Sequence, residues 1–227
     1  MNNMPPVTKN LIIVNLLMFF ATFVASTYNI DLNKFLGLHF FLSDNFNAAQ
    51  LFTYMFMHGN ISHLFFNMFA FWMFGRILEN FWGPKKFLIF FLACGIGSGI
   101  VQEIVQYIYI NSDLNAIYQE LGTAGLLKYE QLLYNNAAYT VGASGAVYGI
   151  LLAFGMTFPN EKLFIIPFPF PIKAKFFVIG YAVLELILGL KNNPADNTAH
   201  FAHLGGMIFG LILILYWRKK HNDRSYF

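Results

Sequence analysis

Six stretches of this chain are too apolar to be packed into a water-covered globule. From about Leu11 to Ser26, sixteen residues pass without an Asp, Glu, Lys or Arg. Comparable apolar runs follow from about His63 to Leu78, Phe87 to Ile108, Ala143 to Phe158, Phe176 to Leu190 and His200 to Trp217. A helix of about 20 mostly apolar residues crosses a bilayer, so the pattern predicts six transmembrane helices, the fourth of them short. Charged residues are only 11% of the 227, against about 25% in soluble proteins, which leaves too little charge to cover a soluble surface. The 28 Phe exclude a disordered chain, which would be poor in aromatics. The single Cys94 excludes an intrachain disulfide and a cysteine-based zinc site. The expectation is an all-α polytopic membrane protein, one domain over residues 1–227. Only Lys9 precedes the first apolar run and no Ala-x-Ala cleavage site follows it, so that run reads as a retained helix.

Basic residues set the orientation. With six spans both termini share one side of the membrane. That side holds Lys9, Arg76, Lys85, Lys86, Lys162, Lys173, Lys175, Arg218, Lys219, Lys220 and Arg224, eleven of the fourteen Lys and Arg. Only Lys34, Lys128 and Lys191 fall on the other. The positive-inside rule makes both termini cytoplasmic in a multi-pass protein of the cell membrane. Two outer segments are long. The one from about Thr27 to Ser62 carries Phe35, Leu36, Leu38, Phe40, Phe41 and Leu42 and reads as lying in the interface. The one from about Asn111 to Val141 reads as an amphipathic helical insertion.

Polar residues at membrane depth are costly and often functional. In the second helix His63 and Asn67 are four apart, hence on one face, with His58 just before them. The fourth opens Gly142-Ala143-Ser144-Gly145, with Tyr148 on the Ser144 face and Gly149 beside Gly145. In the sixth, His203, Gly206 and Gly210 share a face. Helices two, four and six all enter from the outer side, so His63, Asn67, Ser144 and His203 lie on the order of 5–10 Å below it. The Gly145/Gly149 and Gly206/Gly210 pairs let two helices approach closely. A serine beside an imidazole is a nucleophile with its base. The Asn67 amide, the His63 ring and the Ser144 backbone N–H are candidate donors to an oxyanion. Asp196 is in a loop and no carboxylate is well placed to orient His203, so the expectation is a Ser–His dyad with Tyr148 packed on the imidazole. Each signal alone has an ordinary structural reading as a packing serine, an association stripe or an interfacial histidine. Their coincidence at one depth on three parallel helices carries the argument.

Three motifs, His58-x4-His63-x3-Asn67, Gly142-Ala143-Ser144-Gly145 with Tyr148, and Ala202-His203-x2-Gly206-x3-Gly210, resemble in order and spacing those of the rhomboid intramembrane serine proteases, in their compact bacterial six-helix form. The resemblance implies Ser144 as nucleophile and His203 as general base. It implies an oxyanion hole of His63, Asn67 and the Ser144 backbone, with Tyr148 stacked on His203. It makes His58 a structural residue of the first loop, and Glu79, followed by Gly83, the acidic residue that secures a neighbouring segment at the cytoplasmic end of helix two. It also implies a small residue just before the bond that is cut. A Trp-Arg pair that some members carry in the first loop is replaced by Ala49 and Gln50. The insertion between helices three and four is longer than in the compact members and is either a recognition element or a spacer.

The implied activity is cleavage of single-span or other transmembrane proteins within the lipid bilayer, near the outer face. No cofactor, metal or nucleic-acid partner is implied; His-Glu-x-x-His is absent, and His58, His63, His200 and His203 lack a nearby acidic ligand. The alternative is a non-catalytic protein of the same fold that binds transmembrane segments. A transporter would need its polar residues near the midplane on paired broken helices. Glu103 reads as snorkelling to the outer interface, and Glu185 as hydrogen-bonded between helices; the alternative is a role in gating.

Overall fold

The computed structural model of the chain describes residues 4–164, 170–191 and 198–224. The expected loop position of Asp196 lies outside the described residues. Among the described residues six helices dominate: α1 (Pro6–Ser26), α2 (Ile61–Trp82), α3 (Pro84–Asn136), α4 (Ser144–Thr157), α5 (Ala174–Lys191) and α6 (His200–Arg224). A two-stranded antiparallel ribbon, β1 (Lys162–Leu163) with β2 (Ile172–Lys173), precedes α5. By length and composition α1, α2, α3 and α6 can cross a membrane, while α4 is apolar but only 14 residues long. The chain is a multi-pass helical membrane protein, and Leu17, Phe20, Phe23, Phe65 and Phe66 turn outward as they would toward lipid.

Local chemistry explains most of the boundaries. Pro6 sits at the first position of α1, where a missing N–H costs nothing. Asn60 caps α2 by accepting from the His63 amide at 2.8 Å, so the helix begins two residues before the expected His63. Within α2, Phe71–Gly75 is π-helical, and Gly83, at φ 81°, ends the helix and lets α3 start at Pro84. The third helix does not stop near Ile108. It runs on as the insertion, with a break at Gly122 (φ 63°, ψ −158°), a backbone setting that favours glycine. Beyond the break Leu126, Leu133 and Tyr134 fold back with Ile110 and Leu114 over the buried Phe40.

The core is formed where α6 packs on α3 and α4. These contacts are made by glycines. A Cβ on Gly206 would stand 1.8 Å from the Gly145 carbonyl oxygen, and one on Gly145 would stand 1.9 Å from Ser98 Oγ of α3. Ser98 itself donates to the Ala202 carbonyl at 2.7 Å, binding α3 to the first turn of α6. Glu79 near the end of α2 accepts from the Val7 and Thr8 amides at 2.9 and 2.7 Å and from the Thr8 hydroxyl at 2.7 Å. It thereby closes the open amides at the start of α1.

The first loop is less interfacial than its composition suggests. Leu38 and Phe40 are fully buried, whereas Phe35, Phe41 and Leu42 are exposed. Glu103 does not snorkel outward. It is 7% exposed and its Oε2 accepts from the Phe41 amide at 2.8 Å, because the loop folds over it and offers a donor where bulk water was expected.

Candidate active site

The backbone that leads into α4 is irregular, and the first loop satisfies its polar groups. Leu38 and Thr140 exchange hydrogen bonds of 2.9 and 2.8 Å, and the Gly142 amide donates to the Tyr54 carbonyl at 2.9 Å. Tyr54 in turn donates its hydroxyl to the Gly95 carbonyl of α3 at 2.6 Å. Gly142 has φ 128°, a region L side chains rarely adopt, so only glycine turns the chain here without strain. Ser144 follows as the first residue of α4, among the amides that a helix start leaves without an intrahelical partner.

Around Ser144 the expected residues converge. His203 Nε2 lies 2.8 Å from Ser144 Oγ. Tyr148, one turn along α4, stacks on the His203 ring with centroids 4.2 Å apart and an interplanar angle of 7°. A Cβ on Gly142 would come 2.7 Å from His63 Nε2 and 3.6 Å from Ser144 Oγ, so the space above Gly142 is bounded by the imidazole on one side and the hydroxyl on the other. Asn67, also buried, uses its amide to donate to the His63 carbonyl at 3.0 Å. Gly149 and Gly210 continue the close face: a Cβ on Gly149 would be 2.9 Å from the Gly206 carbonyl oxygen, and one on Gly210 would be 3.4 Å from Gly149 Cα.

His58 is 1% exposed and packs its ring edge-on against His63 at 5.0 Å, while its carbonyl accepts from Asn33 of the first loop at 3.3 Å. Burial first, and the neighbouring His63 second, push its pKa down to about 3, so the ring is neutral.

One expectation fails. A carboxylate is well placed to orient His203, and it is Glu185 of α5. Glu185 Oε2 lies 2.9 Å from His203 Nδ1 and 2.6 Å from His200 Nδ1, and Tyr148 donates its hydroxyl to Oε1. The expectation that Glu185 is hydrogen-bonded between helices holds, but its partners were not foreseen. The missed signal is depth. Glu185 is six residues before the end of α5 and His203 three after the start of α6, so two antiparallel neighbours carry them at a similar level. Among the described residues, Glu185, His200 and His203 also bring three potential ligand atoms within 4.8 Å of one another, a carboxylate included, unlike the four histidines alone.

A multi-pass helical protein with a serine hydroxyl bonded to an imidazole between glycine-packed helices defines the class. The chain belongs to the rhomboid family, for residues 45–220 match the Rhomboid domain. It is 32% identical over 181 residues to Rhomboid protease AarA of Providencia stuartii, covering 75% of this chain and 56% of that protein. It is 25% identical over 170 residues to the mitochondrial Rhomboid protein 1 of Saccharomyces cerevisiae, covering 72% of this chain and 40% of that one. It is 27% identical over 177 residues to the human mitochondrial presenilin-associated rhomboid-like protein, covering 73% of this chain and 38% of that one. The chain thus spans about half, or less, of the length of these curated relatives.

Proposed function

We propose that the chain is an intramembrane serine endopeptidase that cuts transmembrane segments of other membrane proteins near the outer face. In this reading residues 1–227 act as one domain with six spans, α4 and α5 included, and both termini are cytoplasmic in a cell membrane. The bias of eleven basic residues in fourteen supports the orientation.

The observation that carries the activity is the 2.8 Å contact between Ser144 Oγ and His203 Nε2 in a ring held by Tyr148. Ser144 Oγ attacks the scissile carbonyl carbon as His203 Nε2 takes its proton. The oxyanion forms in the space above Gly142, where the Ser144 N–H at the helix start, the His63 ring and the Asn67 amide supply donors. Collapse of the intermediate breaks the C–N bond, and His203 returns the proton to the departing amine. A water activated by the same ring then releases the acyl group. Gly145, Gly206 and Gly210 do no chemistry; they set the distance between α4 and α6.

The test is labelling of purified protein by a fluorophosphonate probe, with Ser144→Ala as control. Labelling that is lost in the variant supports the reading. A wild type that binds a single-span segment but neither labels nor cuts would favour the non-catalytic binding protein.

A further inference from the structure

We propose that Glu185 is a positioning residue for the reaction, so that Ser144, His203 and Glu185 act as a triad in which the carboxylate orients His203 without taking its proton. This rests on the proposed peptidase reading and deepens it. A neutral imidazole carries one N–H and one lone pair. To take the serine proton at Nε2, His203 must hold its own proton on Nδ1. The Glu185 Oε2 at 2.9 Å from Nδ1 accepts from that N–H and selects this tautomer. When the ring becomes imidazolium, the carboxylate is the counter-charge beside it.

The carboxylate is itself held. Glu185 is 4% exposed in an apolar bundle, where a charge without partners would be expelled or protonated. Tyr148 donates to Oε1, and His200, one turn before His203 on α6, lies 2.6 Å from Oε2. Tyr148 therefore makes two contacts that converge on one ring: its face stacks on His203 and its hydroxyl fixes the group that orients His203. A purely structural glutamate would be a tie between α4, α5 and α6, and the two roles differ in what they do to His203.

Glu185→Gln separates them, because the amide keeps the shape and the capacity to hydrogen-bond but not the charge. Wild type, Glu185→Gln and Glu185→Asp are compared by fluorophosphonate labelling rate, by kcat and KM on a single-span substrate, by thermal unfolding, and by ¹⁵N NMR of labelled histidine. The expected result is a fall of about 10²–10⁴-fold in both kcat and labelling rate for Gln, with KM changed by less than about twofold. Asp recovers about tenfold or more of the loss. In wild type the His203 ring reads as protonated on Nδ1. Equal labelling rates for wild type and Gln, or a wild-type ring protonated on Nε2, would overturn the role; the second readout needs no variant that folds. A wild type that is not labelled at all would instead count against the peptidase reading, while the ring tautomer would still report whether Glu185 orients His203.

Discussion

A methyl group added to Gly206 would stand 1.8 Å from the Gly145 carbonyl oxygen and 2.6 Å from its carbon. Backbone cannot swing aside as a side chain can, so α6 would have to withdraw from α4 and carry His203 from Ser144. Gly206→Ala should therefore lower stability by the upper part of about 1–3 kcal/mol and abolish cleavage. At Gly205 the added carbon meets Val101 Cβ at 2.7 Å on the α3 side, away from the serine, so Gly205→Ala should cost stability yet keep more activity. Gly210→Ala, whose nearest neighbour is Phe90 Cζ at 3.0 Å, should be the mildest. Thermal melts and turnover of the three variants check the order, and equal loss at 206 and 210 would contradict it. These residues are legible in the sequence because a period of 3.6 assigns Ser144 with Tyr148, and His203 with Gly206, to one face. Glu185 is not legible that way. Its partners are 15, 18 and 37 residues distant, and no periodicity within α5 relates it to them. Ser98 is hidden for the same reason, although the glycines at 95, 97 and 99 around it mark a face built for close approach.

At the scale of elements, the first loop and the insertion hold each other. Gln50, standing where some rhomboids carry the charged half of a Trp-Arg pair, anchors the loop with one amide. Its Oε1 accepts from the His39 and Asn47 amides at 3.2 Å, and its Nε2 donates to the Phe35 and Asn45 carbonyls at 3.1 Å. From the insertion, Asn135 accepts from the Ser43 hydroxyl at 3.1 Å and the Asp44 amide at 2.9 Å, and donates to the Asp44 carboxylate at 2.8 Å. Gln50→Ala strips four partners from a buried position and should cost about 1–3 kcal/mol. The loss should be local: faster proteolysis within residues 31–60, with α4 and α6 still packed. Cleavage confined to the insertion instead would mean that the loop is anchored elsewhere. The helical insertion is legible in its apolar spacing. That it continues α3 past the expected boundary is not, because no proline or helix-ending glycine stands between Ile108 and Gly122 to mark where a span ends. Its bonds to Ser43 and Asp44 tie the far end of that hairpin to the first loop.

For the molecule as a whole, the proposed reaction is set by how deep Ser144 lies. Fourteen residues of α4 cover about 21 Å at ~1.5 Å per residue, against a hydrocarbon core of about 30 Å. In the proposed orientation the C-terminal end of α4, beside the basic β1–β2 ribbon, is at the cytoplasmic face, and α4 then starts several ångströms below the outer surface. The chain above it is paired with the first loop, which is how irregular backbone is tolerated at that depth. A substrate must bring a carbonyl to the same level, and that carbonyl must be free of its own helix. Segments with Gly, Pro or polar residues near the outer end unwind there most easily; a uniform Leu- and Ala-rich span holds its bonds. Moving a Gly-Pro pair stepwise along a single-span substrate, with cleavage sites mapped by mass spectrometry, should give efficient cutting only when the pair lies in the outer third. The cut should stay at one membrane depth rather than at one sequence distance from the pair. Efficient cutting of the unbroken span, or of a pair placed at the cytoplasmic end, would mean that Ser144 meets its substrate at another level than the short fourth helix sets.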